Sequence, residues 1–151
     1  MTVKNRLSEL GVELPPVTPP AGAYIPALRS GNLVYTSGQL PITGGRLPHR
    51  GKVGAEVTLE DAKADARVCA INALAAVEAL VGLDAVVRVV KVVGFVASDP
   101  SFTSQPEVVN GASEFLGEVF GEAGRHARSA VGVAVLPRDT PVEVEIVVEV
   151  E

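Results

Sequence analysis

Residues 142–150 read Val-Glu-Val-Glu-Ile-Val-Val-Glu-Val, and residues 128–136 before them read Arg-Ser-Ala-Val-Gly-Val-Ala-Val-Leu. Side chains change face at each step along a strand, so this alternation marks two strands, each with one buried face. In the later strand Val142, Val144, Ile146, Val148 and Val150 share a face, and Glu143, Glu145, Val147 and Glu149 share the other. In the earlier one Val131, Val133 and Val135 alternate with Arg128, Ala130, Gly132 and Ala134. Placing all the valines under helices sets the parity of both strands, because a slip of one residue would turn them to water. Arg128 and the three glutamates then share the face away from the helices. Ala130, Gly132 and Ala134 are small for a wet surface, and small strand residues permit close approach of a backbone or ligand. That face is expected to be an interface.

Upstream, the chain supplies the helices this sheet needs. Thr58 can cap a helix that begins with acidic residues, Glu60 and Asp61, which suits the helix dipole. Ala62, Ala66, Cys69, Ala70, Ala73, Leu74, Val77, Leu80 and Val81 follow at helical spacing, and Gly82 ends the run. Val86 to Ala97 is β-branched and reads as a strand, closed by Asp99-Pro100. Pro106 suits the first turn of a second helix. Its apolar stripe is Val108, Val109, Ala112, Phe115, Leu116, Val119 and Phe120, with Gly121 or Gly124 as its stop. Asn32 to Ser37 reads as a strand, and Pro41 to Gly54 as a loop. Residues 4–10 suggest a short helix, and Pro15, Pro16, Pro19 and Pro20 an extended arm laid over the surface. The order is strand, helix, strand, helix, strand, strand: an α+β domain with two helices on one face of a mixed sheet.

The 151 residues suffice for one domain, 1–151, in which 1–20 form the N-terminal helix and arm. With 47% hydrophobic and 21% charged residues the chain is of globular type. Its net charge of −5 and scattered basic residues argue against nucleic acid as a partner. The single cysteine, Cys69, allows no internal disulfide and reads as a small core residue. No metal-binding spacing and no cofactor motif is present. No run reaches the about 18 apolar residues of a membrane helix, and Met1 to Leu10 has no apolar signal segment. A cytoplasmic location is expected.

Three segments in order resemble one family. Ala127 to Pro137 followed by Val142-Glu-Val-Glu145, Asn32 to Pro41 with its Ser-Gly-Gln turn, and Val109-Asn110 ahead of Phe115 are similar to the Rid/YjgF family over roughly residues 20–151. The resemblance implies a chorismate-mutase-like fold and a homotrimer in which three sheets form a barrel inside a ring of helices. It also implies RidA-like deamination, the hydrolysis of small enamine and imine intermediates such as 2-imino acids, in clefts between subunits. In that scheme Arg128 grips the carboxylate of a small metabolite and Glu143 serves water activation. Tyr24, Ser37, Gly38 and Asn110 complete the substrate contacts. Ala130 stands where the deaminases often carry Cys, Gly132 where an acidic residue is common, and His126 where a small residue or Pro is favoured, which suggests a divergent branch. The alternatives are a non-catalytic carboxylate-binding module and an endoribonuclease.

Arg128 and Glu143 suit these roles chemically, as a planar fork for a carboxylate and a base for water. The turn at Pro137–Thr140 suggests a hairpin in which Leu136 faces Pro141, Arg128 faces Glu149 and Glu143 faces Ala134. The two site residues would then be roughly 20 Å apart along the strands, too far to share a ligand within one chain. A slip of four in that pairing would instead bring them within about 7 Å.

Overall fold

The computed structural model describes residues 2–17 and 22–151. Pro19 and Pro20 of the expected arm lie outside them. Helix α1 spans Val3–Glu9, with Thr2 Oγ1 accepting from the Asn5 amide. Two short strands follow, β1 (Ala27–Ser30) and β2 (Leu33–Thr36). Then come α2 (Leu59–Val81), β3 (Val86–Ala97), α3 (Gln105–Phe120), β4 (Ala127–Val133) and β5 (Val142–Val150). Among the described residues no helix is long and apolar enough to cross a membrane.

The helix signals act as the sequence suggests. Thr58 Oγ1 accepts the Asp61 amide at 3.1 Å, and Gly82 closes α2 in a left-handed conformation, φ 81°. The α2 stripe from Ala62 to Val77 is buried, while Leu80, placed on the same stripe, is 44% exposed. Pro106 sits in the first turn of α3, and Val108, Val109, Ala112, Phe115 and Leu116 are fully buried. Cys69 is a buried core residue whose thiol donates to the Val142 carbonyl at 3.8 Å, and burial pushes its pKa well up. The Gly-rich loop is pinned to α2 by His49, whose Nδ1 lies 3.0 Å from both carboxylate oxygens of buried Asp65.

The sheet order is β1-β2-β5-β3-β4, with β3 and β4 parallel and the other pairs antiparallel. Both helices lie on one face, α2 over β5 and α3 over β3 and β4. Strand β1 was not expected. It pairs with β2 through a hairpin at Gly31-Asn32, and Gly31 takes φ 60°. Its own residues, Ala-Leu-Arg-Ser, carry no alternation to announce a strand.

The last two strands correct the expected hairpin. They do not pair: β5 lies between β2 and β3, and among the described residues β4 pairs only with β3, at the sheet edge. Helix α3 carries the chain across from β3 and returns it parallel, so β5 takes the inner slot. Its five aliphatic residues of one face, Val142 to Val150, are at most 1% exposed, as suits a central strand.

The facing of β4 is also the reverse of expectation. Arg128, Ala130 and Gly132 align with Val92, Gly94 and Val96 of β3, which face the helices. Val131 aligns with Phe95 and Glu143 on the opposite face and is 43% exposed. The cause is the closeness of α3. A Cβ on Gly94 would lie 2.4 Å from Val109 Cγ2, and one on Gly132 would lie 2.7 Å from Gln105 Nε2. Gly94, Ala130 and Gly132 let α3 come close, and the row that Ala130 and Gly132 share with Arg128 turns toward the helix while Val131 turns out. Small residues do permit close approach here, by α3 of the same chain.

Candidate functional site

Arg128 reaches from β4 up to α3. Its Nη1 donates to Asn110 Oδ1 at 2.7 Å and to Ser113 Oγ at 3.2 Å. Ser113 lies three residues after Asn110, on the same side of α3. His126 stands behind Ser113, with Nε2 2.9 Å from Ser113 Oγ and Nδ1 2.6 Å from the Gly124 carbonyl. Among the described residues Arg128 pairs with no carboxylate. Glu149 lies next to Arg88 in the sheet register, far from Arg128. A half-buried guanidinium held only by neutral oxygens keeps its charge available for an anion. The sequence pointed to Arg128 and Asn110 but not to Ser113. The three-residue step from Asn110 is the signal that could have found it.

Glu143 forms a second cluster. It projects from β5 on the face away from the helices and packs against the turn after β2. A Cβ on Gly38 would lie 2.1 Å from Glu143 Oε2, so glycine is required for the carboxylate to occupy this place. The turn is anchored by the Gln39 amide donating to the Val144 carbonyl at 2.8 Å, and by the Val144 amide donating to Gln39 O at 3.0 Å. Ser37 Oγ donates to the Ile25 carbonyl at 2.5 Å and its amide to Pro26 O at 2.8 Å. The Ser37 hydroxyl thereby holds the segment that carries Tyr24, which is 54% exposed. Burial, then the neighbouring charge of Glu145, raises the Glu143 pKa above its ordinary value.

The sheet register separates the two clusters. Arg128 aligns through Val92 with Ile146, three residues from Glu143 and two strands away. At ~3.3 Å per residue and ~4.8 Å per strand, their Cα atoms are roughly 14 Å apart. Their side chains leave opposite faces of the sheet. Arg128 and Asn110 therefore meet, as do Gly38 and Glu143, but the two groups do not meet within one chain. No group of His, Cys, Asp and Glu among the described residues could hold a metal ion.

The family model described as "YjgF/chorismate_mutase-like, putative endoribonuclease" matches residues 4–150. Protein TCP17 of Trypanosoma cruzi is 46% identical, over 97% of this chain and 93% of its own. The 2-iminobutanoate/2-iminopropanoate deaminase of Escherichia coli is 37% identical, over 83% of this chain and 86% of its own. A crystal structure of a protein of unknown function from Agrobacterium tumefaciens superposes with a TM-score of 0.90 at 45% identity, covering 99% of this chain and 92% of that one. On the match along nearly its whole length, and on a fold shared with solved members, this chain belongs to the Rid/YjgF family.

Proposed function

We propose that this protein hydrolyses small 2-imino acids, and the enamines in equilibrium with them, in clefts between the subunits of a homotrimer. The observation that carries the reading is the placement of Arg128 and Glu143 on opposite faces of one sheet. Two groups that cannot meet within a chain can meet across a boundary between chains. Arg128 and Asn110 of one subunit would then face Ser37, Gly38 and Glu143 of the next, with Tyr24 at the rim. The face away from the helices supports the assembly, since it leaves Leu28, Tyr35 and Val131 between 43% and 55% exposed. Large apolar side chains left in water on one sheet face are what a subunit boundary would cover. The likeness to the E. coli deaminase supports the reaction.

The chemistry needs no more than these residues provide. The guanidinium binds the substrate carboxylate and sets the imine carbon within reach of Glu143. Glu143 takes a proton from water as the water oxygen bonds to that carbon, and the C=N electron pair moves to nitrogen. The resulting carbinolamine re-forms a C=O bond and expels ammonia, which leaves with its added protons, so imino acid and water become 2-oxo acid and ammonia. A carboxyl raised above its ordinary pKa is well suited to accept and return that proton. The test is ammonia release from freshly generated 2-iminopropanoate. Acceleration over the uncatalysed rate, lost in Glu143→Gln, is the expected result. Binding of 2-oxobutanoate without acceleration would replace the reading with that of a carboxylate-binding module.

A further inference from the structure

We infer that Ser113 and His126 are positioning residues that aim one edge of the Arg128 guanidinium, the Nε–Nη2 edge, at the ligand carboxylate. The inference rests on the reading of Arg128 as the carboxylate-binding group and goes beyond it by saying how the group is aimed. It follows from donor and acceptor accounting along one chain of contacts. The Gly124 carbonyl can only accept, so His126 Nδ1 donates to it at 2.6 Å. With the ring proton there, Nε2 of the uncharged imidazole is an acceptor, and the Ser113 hydroxyl donates to it at 2.9 Å. The Ser113 oxygen, its own proton so directed, presents lone pairs to Arg128 Nη1 at 3.2 Å. Asn110 Oδ1 accepts from the same nitrogen at 2.7 Å.

Nη1 carries two hydrogens, and these two acceptors use both. Among the described residues Nε and Nη2 have no acceptor. Their N–H groups are nearly parallel and match the two oxygens of a carboxylate. The relay thus removes the end-on mode of binding, which needs Nη1, and leaves the side-on mode. Its last post is rigid. Gly124 is buried against α3, where an added Cβ would lie 2.4 Å from the Leu116 carbonyl. The aim of Arg128 is thereby tied to helix packing instead of to a flexible side chain.

Two measurements test this, one of them without ligand. Nitrogen-15 NMR of the Arg128 guanidinium should give separate Nη1 and Nη2 resonances in the wild type, because Nη1 is held. In Ser113→Ala and His126→Phe, where Asn110 alone holds Nη1 firmly, the two should exchange faster and broaden toward each other. Ser113→Thr keeps the hydroxyl and His126→Gln keeps an acceptor near the Nε2 position, so both should restore the separation. Calorimetric titration with 2-oxobutanoate should show roughly 3- to 10-fold weaker binding for Ser113→Ala, about 0.5–1.5 kcal/mol for one lost positioning bond, and recovery in Ser113→Thr. Ser113→Ala places a strong helix former in α3 and keeps the test usable where His126→Phe unfolds. Averaged resonances in the wild type, or no change in Ser113→Ala, would overturn the relay. Should Arg128→Ala bind 2-oxobutanoate as tightly as wild type, the carboxylate site itself is misplaced, and the NMR comparison still decides whether the relay exists.

Discussion

Gly38, Glu143 and Glu145 make the pH behaviour of the site a matter of single residues. Glu143 is raised first by burial and second by Glu145. Acting as a base it must be ionised, so activity should rise as the pH rises through its elevated pKa and fall on the acid side. Glu145→Gln removes the repelling charge but not the burial, and should move the acid limb of the pH–rate profile to lower pH; an unmoved limb would assign it to another group. Gly38→Ala brings a methyl group into the place of Glu143 Oε2. It should depress the rate while leaving the thermal midpoint close to wild type, because the displaced carboxylate is on the surface side of the sheet. Arg128→Lys keeps the charge but loses the fork, and should weaken 2-oxo acid binding by about 1.5–3 kcal/mol in a calorimetric titration.

At the level of elements, the contact between α3 and the β3–β4 edge decides most. Gly94 lies directly under Val109, with no room for a methyl group. Gly94→Ala should cost about 1–3 kcal/mol of stability in denaturant unfolding, the usual range for overpacking. It should also disturb Arg128, whose acceptors sit on the helix that must move. A second joint is the loop held to α2 by His49 and Asp65. Burial raises the Asp65 carboxyl above 3.8, and the hydrogen bond and charge of His49 only partly oppose this. A carboxyl with a higher pKa in the fold than in the unfolded chain favours folding when protonated. That contribution is complete below the unfolded value and is lost as the pH rises through the folded one. Asp65→Asn should therefore gain stability relative to wild type as the pH is taken from acid to neutral, as measured by thermal midpoints across that range.

For the whole molecule the assembly is the question. Val131 of β4, with Tyr35 and Leu28, lies on the face expected to be covered in a trimer. Sedimentation of dilute protein should give a mass near three chains, and Val131→Glu should shift it toward one. If the cleft is shared, Arg128→Ala and Glu143→Ala chains, each inactive alone, should recover part of the activity when unfolded and refolded together. Mixed trimers that form yet stay inactive would place both residues in one chain's site or in no common site.

Residue order alone sets the kinds of element and several of their ends. Thr58 and Gly82 mark the limits of α2, and the valines of β5 go inward because one helix-facing row of a central strand must be wholly apolar. It also pointed to Arg128, Asn110, Gly38 and Glu143, through their place in motifs the family shares. Which strand lies beside which, and so which of these residues meet, follows from packing in three dimensions. Alternation in β4 says that its two faces differ; it does not say which is inside. Hydrophobicity favoured the valines, but the row of Arg128, Ala130 and Gly132 is the one that faces α3, where its small residues let the helix pack close. That choice carries Arg128 to Asn110 and away from Glu143, since residues three positions and two strands apart on opposite faces of a sheet cannot touch.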